Sequence, residues 1–234
     1  MSPAQPLQNN GPSHENDALA AFARLDPERS HRTGVPEIVL GESKTAEQIL
    51  AIVRRMTEQP ELILVSRLDT AKANLLLQEF PKGTYHREAR LFSMNPKPVR
   101  FAGHIAVLAA GTSDVPVAEE AAVTATLLGH PVDRFYDVGV AGLHRLLKEI
   151  PKICEASVLI VVAGMEGALP SVVAGLVGKP LIAVPTSVGY GTGLGGFAAL
   201  IAMLNGCAPG VTVVNIDNGL GAAVAAHLIN SVER

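Results

Sequence analysis

Hydrophobic and polar positions follow two different patterns along this chain. After about residue 100, five short apolar runs recur, and each is followed by a helix-length segment rich in Ala, Leu and Val. The runs lie at 105–110, 132–137, 158–163, 181–184 and 211–216. Strands that are apolar on both faces and joined by helices are typical of a parallel sheet covered on both sides. Because crossovers between parallel strands are right-handed, the pattern predicts a three-layer, doubly wound α/β domain over residues 99–234.

The first hundred residues have shorter apolar runs and predict a small α/β unit over residues 16–98. The predicted strands lie at 37–40 and 62–66 and around Tyr85 and Leu91. Thr45, with Gln48 three residues later, has the pattern of a capping box and predicts the start of a helix, and Asp69 predicts another. We also predict a short helix over 17–25, and disorder over 1–15, which is rich in Pro, Asn and Gln.

The composition changes where the pattern changes. Residues 1–100 hold 13 Lys and Arg, 12 Asp and Glu, and 4 of the 22 Gly. Residues 101–234 hold 6 Lys and Arg, 10 Asp and Glu, and 18 Gly. The stretch Asn95-Pro-Lys-Pro98 is typical of a linker. We therefore predict a domain boundary near residues 96–100.

Charge and cysteine content exclude several classes of protein. A net charge of -3 argues against a nucleic-acid partner, which would require a basic face. No apolar run reaches the roughly 18 residues of a membrane span, and the first 30 residues carry no apolar signal segment. Two distant cysteines, at 154 and 207, favour a reducing compartment. We expect a cytoplasmic protein with a small-molecule substrate and no membrane partner.

The loops after the strands are the place to look for chemistry, because ligands of such sheets lie beyond the carboxyl ends of the strands. The first loop is Gly111-Thr112-Ser113-Asp114, and a helix is predicted from about Pro116. Small hydroxyl residues at a helix N-terminus form a natural phosphate site. The alternative is that Ser113 or Asp114 only caps the helix.

The second and third loops each carry a carboxylate. In Tyr136-Asp137-Val-Gly139, the glycine allows close backbone approach, and Asp137 is a candidate for a ribose hydroxyl or a metal. In Gly164-Met165-Glu166-Gly167, Glu166 lies in an uncharged stretch at the end of a central strand. We expect Glu166 to be partly buried, with its pKa raised toward neutrality, as an acid–base group or metal ligand requires. The alternative is a carboxylate that interacts with a helix dipole. We expect His144 to be a structural or surface residue.

The segment Gly191-Thr-Gly-Leu-Gly-Gly196 satisfies G-x-G-x-x-G, with Asp217 further along. A dinucleotide fingerprint requires a tight turn directly after its strand, whereas Gly191 lies several residues past the strand end, so we reject that interpretation. A Gly-rich loop that shapes a pocket or contacts another subunit fits better. We expect Gly189, Tyr190 and Gly191 to line that pocket.

The two cysteines differ in their surroundings. Cys154 has helical spacing from Leu147 and Ile150 and is expected to be a buried apolar residue. Cys207 lies in the Gly- and Pro-containing loop 205–210, where a ligand can reach the thiol, although spacing alone does not establish catalysis. Neither cysteine has the neighbours of a zinc site.

The later loops resemble the carboxyaminoimidazole ribonucleotide mutases, which have the PurE-type fold. The resemblance covers about residues 103–232. It is carried by Gly111-Thr-Ser-Asp114, Ala163-Gly…Leu169-Pro170, Cys207-Ala-Pro-Gly-Val-Thr-Val and Asn218-Gly-Leu-Gly-Ala-Ala. That family binds a phosphorylated ribose through the first loop and moves a carboxyl group. Its catalytic His lies just before Leu-Pro, where this chain has Ala168.

With the first part included, the chain resembles the PurE-related LarB family of nickel-pincer cofactor biosynthesis. The N-terminal similarity lies in Leu25-Asp-Pro-Glu-Arg-Ser-His-Arg32, Gly34-Val-Pro-Glu37 and Gly41-Glu-Ser-Lys-Thr45. The resemblance implies that nicotinic acid adenine dinucleotide is carboxylated on its pyridinium ring and hydrolysed. The products are pyridinium-3,5-biscarboxylic acid mononucleotide and AMP.

The resemblance also implies roles for particular residues. Cys207 would add to the ring as a thiolate, and Glu166 would be the base or a magnesium ligand. Carbon dioxide or bicarbonate would be the co-substrate, and Mg²⁺ would be held by Asp114 or Asp137, with no nickel bound. The expected substrate-binding residues are Gly111, Thr112, Ser113, Asp114, Tyr136, Asp137, Gly139, Gly164, Met165, Gly167, Gly189, Tyr190, Gly191 and Asn218. The related fold assembles as an octamer, so we expect a homo-oligomer.

Two other functions stay open on the sequence. One is a PurE-like carboxy-transfer enzyme that acts on an aminoimidazole-type ribonucleotide. The other is a nucleotide-binding sensor without catalysis, which the phosphate-site loops alone would support.

Overall fold

The computed structural model describes residues 22–232, which form two β-sheets with their helices. The first sheet has the order β1-β2-β4-β3, with β1 and β2 parallel and the other pairs antiparallel. The elements of this N-terminal unit are α1 (Arg29–Thr33), β1 (Ile38–Leu40), α2 (Ala46–Met56), β2 (Ile63–Ser66), α3 (Thr70–Glu79), β3 (Thr84–His86) and β4 (Leu91–Met94).

The helix starts predicted at Thr45 and Asp69 are confirmed. The Thr45 hydroxyl accepts a hydrogen bond from the Gln48 N–H, and the Gln48 side chain accepts one from the Thr45 N–H, so the capping box is complete. The Asp69 carboxylate accepts a hydrogen bond from the Lys72 N–H at the start of α3. Both caps satisfy N–H groups that a helix leaves without partners.

The disorder predicted over 1–15 and the helix predicted over 17–25 fall largely on residues that the structure does not describe. The segment 1–15 and most of the predicted helix 17–25 lie outside the described residues, and residues 22–25 are not helical. The sequence analysis missed α1, because five residues are too few to show a helical period. This helix ends at Gly34, where φ is 75° and the N–H donates to the Ser30 carbonyl.

The second sheet contains five parallel strands in the order β6-β5-β7-β8-β9. Its elements are β5 (Ile105–Ala109), α4 (Val115–Leu127), β6 (Val132–Phe135), α5 (Leu143–Ile153), β7 (Val158–Ala163), α6 (Leu169–Leu176), β8 (Leu181–Pro185), α7 (Phe197–Leu204), β9 (Val211–Val213) and α8 (Gly219–Asn230). All five predicted strands are present. The first, second and fifth are shorter than predicted, because the chain turns into a loop earlier.

Helices cover both faces of the larger sheet, so the doubly wound α/β prediction is confirmed. One face packs against Ala-rich faces of α4 and α8, which include Ala118, Ala122 and Ala226. The other face packs against residues of α5, α6 and α7, among them Leu146 and Met203. Small side chains let α4 and α8 lie close to the sheet and to each other.

Helix α4 also packs against the sheet of the N-terminal unit. The residues from Leu62, just before β2, to Val65 alternate in their contacts. Ile63 and Val65 pack among α2 and α3, whereas Leu62 and Leu64 form a cluster with α4 residues Val123 and Leu127. The helix is therefore buried on two sides, as an all-round apolar helix should be. The two sheets thus share a single helix layer.

The burial predicted for Cys154 is wrong, since this cysteine is exposed at the C-terminal end of α5. The side of α5 that packs against the sheet carries Leu146 and Ile153, and Leu147 lies outside it, 49% exposed. Cys154 follows Ile153 and therefore lies just beyond the buried face.

No helix among residues 22–232 combines the length and apolar character needed to cross a membrane.

Candidate active site

Five loops meet at the carboxyl edge of the larger sheet, because its strands are all parallel. They are 110–114 after β5, 136–142 after β6, 164–168 after β7, 186–196 after β8 and 214–218 after β9. Every predicted site residue except Cys207 belongs to one of these loops. In a doubly wound sheet this edge is where a ligand binds.

Asp114 joins the loop after β5 to the loop after β8. The side chain is 4% exposed, and its carboxylate accepts hydrogen bonds from the Gly111 N–H at 2.9 Å and from the Thr186 hydroxyl at 2.7 Å. Burial raises the pKa of Asp114, while the Thr186 and Gly111 bonds act in the opposite direction. The carboxylate makes no capping bond to α4. Asp114 therefore closes the turn Thr112–Asp114, and Thr112 and Ser113 are left exposed.

The loop after β7 passes very close to the loop after β8. A Cβ atom on Gly164 would overlap the Val188 carbonyl oxygen and would lie 2.6 Å from the Thr186 hydroxyl. The Met165 N–H donates to the same Val188 carbonyl at 2.8 Å. Only glycine fits at position 164, and its absent side chain allows Thr186 to reach Asp114.

The partial burial predicted for Glu166 is wrong in the single chain, because this side chain is exposed. The chain turns outward at this point: Met165 has a φ of 54° and Gly167 a φ of 65°, both in the left-handed region. Met165 is also 46% exposed, whereas Gly167 is buried against Ala199 of α7. Protein atoms of this chain do not enclose the Glu166 carboxylate, so a dry environment would have to come from a ligand or another copy.

The loop after β6 places its polar groups in internal pairs. The Tyr136 hydroxyl donates to the Glu119 carboxylate at 2.5 Å, and burial, followed by this bond, raises the pKa of Tyr136. Asp137, with a φ of 58°, forms an ion pair with Arg145 of α5.

Gly139 is buried next to the Ala110 carbonyl. His144 is exposed, as expected of a surface residue.

Cys207 is exposed in the loop between α7 and β9. Gly206 next to it lies against Ser171 in the first turns of α6, since a Cβ on Gly206 would be 2.8 Å from the Ser171 hydroxyl. Within residues 22–232, no hydrogen bond joins Cys207 to Glu166 or to Asp114. The chain therefore presents its two predicted catalytic side chains at the surface without linking them.

An exposed apolar face begins at Tyr190 in the loop after β8 and continues along α7 toward Cys207. We call it the apolar stripe. Its members Tyr190, Leu194, Phe197, Ile201 and Leu204 are 81%, 72%, 51%, 41% and 60% exposed. Phe197, Ile201 and Leu204 lie on one face of α7, since they are four and three residues apart, whereas Tyr190 and Leu194 belong to the loop before it. Exposed apolar residues grouped in this way are a candidate for an interaction surface.

Thr186 and Ser187 were not among the residues predicted for the site. Thr186 is the first polar residue after the apolar strand β8, which is the one signal that could have identified it. The Ser187 N–H donates to the Asp217 carboxylate at 2.8 Å, so Asp217 connects the loops after β8 and β9. Asn218 follows, and its side chain accepts a hydrogen bond from the Gly221 N–H at the start of α8.

The residues expected to bind Mg²⁺ do not form a ready metal site. Asp114 is held by Gly111 and Thr186, and Asp137 is paired with Arg145. In the part of the chain that the structure describes, no group of three His, Cys, Asp or Glu side chains is placed to hold a metal ion. The side chains of residues 22–232 alone therefore do not fit a metal centre.

Two known protein families match this chain, one over the part with the first sheet and one over the part with the second. A family described as LarB/PurE-like N-terminal domain matches residues 17–97, and a family described as AIR carboxylase matches residues 104–234. The chain belongs to the LarB family. LarB architecture consists of these two domains in this order, and the second gives the chain its PurE-like, carboxylase-family character.

Two proteins from Methanocaldococcus jannaschii are similar in sequence to this chain. This LarB-family chain is 41% identical over 218 residues to an uncharacterized protein, covering 89% of this chain and 84% of that protein. It is 37% identical over 127 residues to N5-carboxyaminoimidazole ribonucleotide mutase, covering 52% of this chain and 75% of the mutase. Family membership places the protein among enzymes of the carboxylase or mutase type.

Proposed function

We propose that this protein carboxylates the pyridinium ring of nicotinic acid adenine dinucleotide and hydrolyses its phosphoanhydride. The products are AMP and pyridinium-3,5-biscarboxylic acid mononucleotide, the first intermediate of nickel-pincer cofactor synthesis. The observation that carries this proposal is a LarB-type N-terminal domain in front of a PurE-like domain that has Ala168 at the mutase histidine position. The protein itself uses no nickel in this reaction.

The exposed thiol of Cys207 supplies the chemistry that the ring needs. A pyridinium ring is electron-poor and cannot attack carbon dioxide. Addition of the Cys207 thiolate forms a C–S bond and converts the ring to a dihydropyridine with a nucleophilic, enamine-like carbon. The electron pair of that carbon forms the new bond to carbon dioxide. Exposure in a loop makes Cys207 accessible to the ring.

Glu166 completes the exchange of a ring proton for a carboxylate. After carboxylation, the Glu166 carboxylate accepts the proton from the carboxylated carbon, the C–S bond breaks, and the thiolate leaves as the ring becomes aromatic again. A water molecule then cleaves the phosphoanhydride and releases AMP. Any Mg²⁺ would accompany the pyrophosphate, a common arrangement for this ion.

The carboxyl edge supplies the binding surface. The loop 111–114 leads into α4, a helix of 13 residues with proline in its first turn, and helix N-termini attract phosphate. Thr112 and Ser113 are exposed there, and the buried carboxylate of Asp114 holds the loop in place. These contacts support binding of a substrate phosphate at this loop.

We also propose that the protein works as a homo-oligomer, an octamer by resemblance to the related fold. Cys207, Glu166 and the apolar stripe are all exposed in the single chain, so a second copy on the stripe would bury apolar surface and enclose the thiol. The double variant Phe197→Glu/Ile201→Glu should dissociate the assembly and abolish turnover. Leu147→Glu, on an exposed position of α5, is the control. A monomeric wild-type protein by light scattering would contradict this proposal.

The reaction is tested with purified protein, nicotinic acid adenine dinucleotide and bicarbonate, with and without Mg²⁺. Mass spectrometry should detect the carboxylated mononucleotide and AMP. Cys207→Ser should make no carboxylated product, whereas Cys154→Ser should retain wild-type turnover. Both cysteines are exposed, but only Cys207 is assigned a chemical role. Absence of both products with the wild-type protein would exclude the proposed function.

The second candidate is carboxy transfer on an aminoimidazole-type ribonucleotide. The 37% identity to the mutase favours it, whereas Ala168 argues against it. Conversion of an aminoimidazole ribonucleotide by the Cys207→Ser variant at wild-type rate would support this alternative.

A further inference from the structure

Arg67 carries a contact from the N-terminal unit to the carboxyl edge of the larger sheet. It follows β2 directly and has a left-handed φ of 54°. Its guanidinium Nη2 donates to the main-chain carbonyl of Asp217 at 2.7 Å, across 150 residues of sequence. The nearest carboxylate in the same unit, on Glu42, lies 3.7 Å from Nη1. The main hydrogen bond of this arginine is therefore made to the candidate site and not to its own unit.

The residue that Arg67 contacts is held from two other directions. The Asp217 carboxylate accepts a hydrogen bond from the Ser187 N–H at 2.8 Å, and the Asp217 N–H donates to the Pro185 carbonyl at 2.9 Å. Its backbone has a φ of 54°, a strained conformation for a residue with a side chain. A strained residue keeps its conformation only when several contacts determine it, and Arg67 provides one of them.

The charge of the same guanidinium also lies near a buried carboxylate on α4. Glu120 of α4 is 6% exposed, and it accepts a hydrogen bond from the Leu220 N–H in the first turn of α8 at 3.1 Å. Burial raises the pKa of Glu120, and the nearby charges of Arg67 and Arg90 oppose that shift. Helices α4 and α8 are in close contact at this point, because a Cβ on Gly219 would overlap the Val117 carbonyl. Arg67 thus contacts the end of the 214–218 loop directly, and its charge lies near the carboxylate that accepts a hydrogen bond from the first turn of α8.

We propose that Arg67 is a positioning residue through which the N-terminal unit fixes the loop 214–218, and with it Ser187 and Asn218, at the substrate edge. The effect on substrate rests on the proposed function. The effect on the loop does not depend on it. The N-terminal unit would then be part of the active-site architecture and not only an attached domain.

The test compares Arg67→Met with Arg67→Lys in the full-length protein. Methionine keeps an unbranched apolar stem and removes every donor, whereas lysine retains the charge and the donors of a single ammonium group. Arg54→Met is the control, since Arg54 makes an exposed ion pair with Glu79 in the same unit. Hydrogen–deuterium exchange, followed by mass spectrometry, reports on the amides of 186–190 and 216–222 without any substrate.

In Arg67→Met, exchange in these two segments should accelerate about tenfold, the order expected for loss of a charged hydrogen bond. Arg67→Lys should recover part of the protection, and Arg54→Met should match the wild-type protein. The KM for the dinucleotide should rise in Arg67→Met with a much smaller change in kcat. Unchanged exchange in both segments would overturn the positioning role. A wild-type protein that fails to turn over the dinucleotide would exclude the proposed function and leave the exchange result to decide the role of Arg67.

Discussion

Asp114 shows how one buried carboxylate organises the candidate site. Its two hydrogen-bond donors come from different loops, and a buried carboxylate without donors would be costly. The sequence indicated a polar residue at the right loop but left its role open between phosphate binding and helix capping. The structure gives it a third role, in which it closes its own turn and holds Thr186.

Replacement of Thr186 by valine tests that role. Thr186→Val keeps the shape of the side chain and removes the hydroxyl donor to Asp114, so the free energy of unfolding should fall by about 1–3 kcal/mol. Thr212→Val, at an exposed position of β9, should change it much less. Urea unfolding monitored by circular dichroism measures the difference. Equal effects of the two substitutions would contradict the proposed importance of the Thr186 bond.

Two residue-level predictions were wrong for the same physical reason. Cys154 was expected to be buried from its helical spacing, and Glu166 to be partly buried from its uncharged surroundings, yet each lies past the end of a buried element. Burial at the end of an element depends on which way the chain turns next. At Glu166 that direction is determined by left-handed residues on both sides of it, which the sequence pattern does not reveal.

At the scale of elements, the larger sheet was predictable and its loop contacts were not. Short apolar runs that alternate with helix-length segments are typical of a parallel sheet, so all five strands were located. The close contact between Gly164 and Val188 depends on two loops that are distant in sequence. A glycine in a Gly-rich segment gives no indication of which glycine is tightly packed.

Gly164→Ala should disturb this contact, because the new Cβ would overlap the Val188 carbonyl and the Thr186 hydroxyl. We expect a lower melting temperature and loss of activity. Gly175→Ala is the matched control: it lies within α6 with open space around it, and alanine in a helix should be stabilising by about 0.5–1 kcal/mol. Differential scanning calorimetry distinguishes the two outcomes. A stable, active Gly164→Ala protein would contradict the described packing.

At the scale of the whole molecule, the two sheets are joined by the shared helix α4 and by a chain of hydrogen bonds between histidines. Asn230 donates to His130 at 3.0 Å, His130 pairs with His227 at 2.8 Å, and His227 contacts the Gly34 carbonyl at 3.2 Å. When both imidazoles are neutral, each can accept one hydrogen bond and donate another, so every group from Asn230 to the Gly34 carbonyl has a partner. Phe101 stacks on His130, with ring centroids 4.1 Å apart.

This cluster predicts a pH-dependent stability. Burial, together with the charges of His227 and Arg100, lowers the pKa of His130 from 6.5 to about 4. Burial also lowers the pKa of His227, and the nearby charges of Arg100 and Lys97 add to that shift. Because the unfolded chain binds more protons below pH 6.5, the free energy of unfolding should decrease as the pH falls from about 7 to about 4.

His130→Gln should flatten that dependence, since it removes one of the two buried imidazoles. His144→Gln, at an exposed position, should leave the slope unchanged. The measurement is the free energy of unfolding at several pH values. An identical slope for His130→Gln and the wild-type protein would show that the cluster does not control acid stability.

The arrangement of the two sheets could not be predicted from the sequence. The strand β2 is buried along its whole length, and a run of apolar residues does not indicate that one of its faces packs on α4. The alternation of Leu62 and Leu64 with Ile63 and Val65 assigns each pair to a different partner only in the folded protein. The family resemblance, in contrast, correctly predicted both domains and their order.

The central claim is that this chain adds a carboxyl group to a pyridinium ring through Cys207. Its most direct test is incubation of the protein with ¹³C-bicarbonate and nicotinic acid adenine dinucleotide, followed by ¹³C NMR of the isolated mononucleotide. We expect a labelled carboxylate bonded to the ring in the wild-type and Cys154→Ser reactions and no label with Cys207→Ser. Label on the ring in the Cys207→Ser reaction, or no label with the wild-type protein, would contradict it.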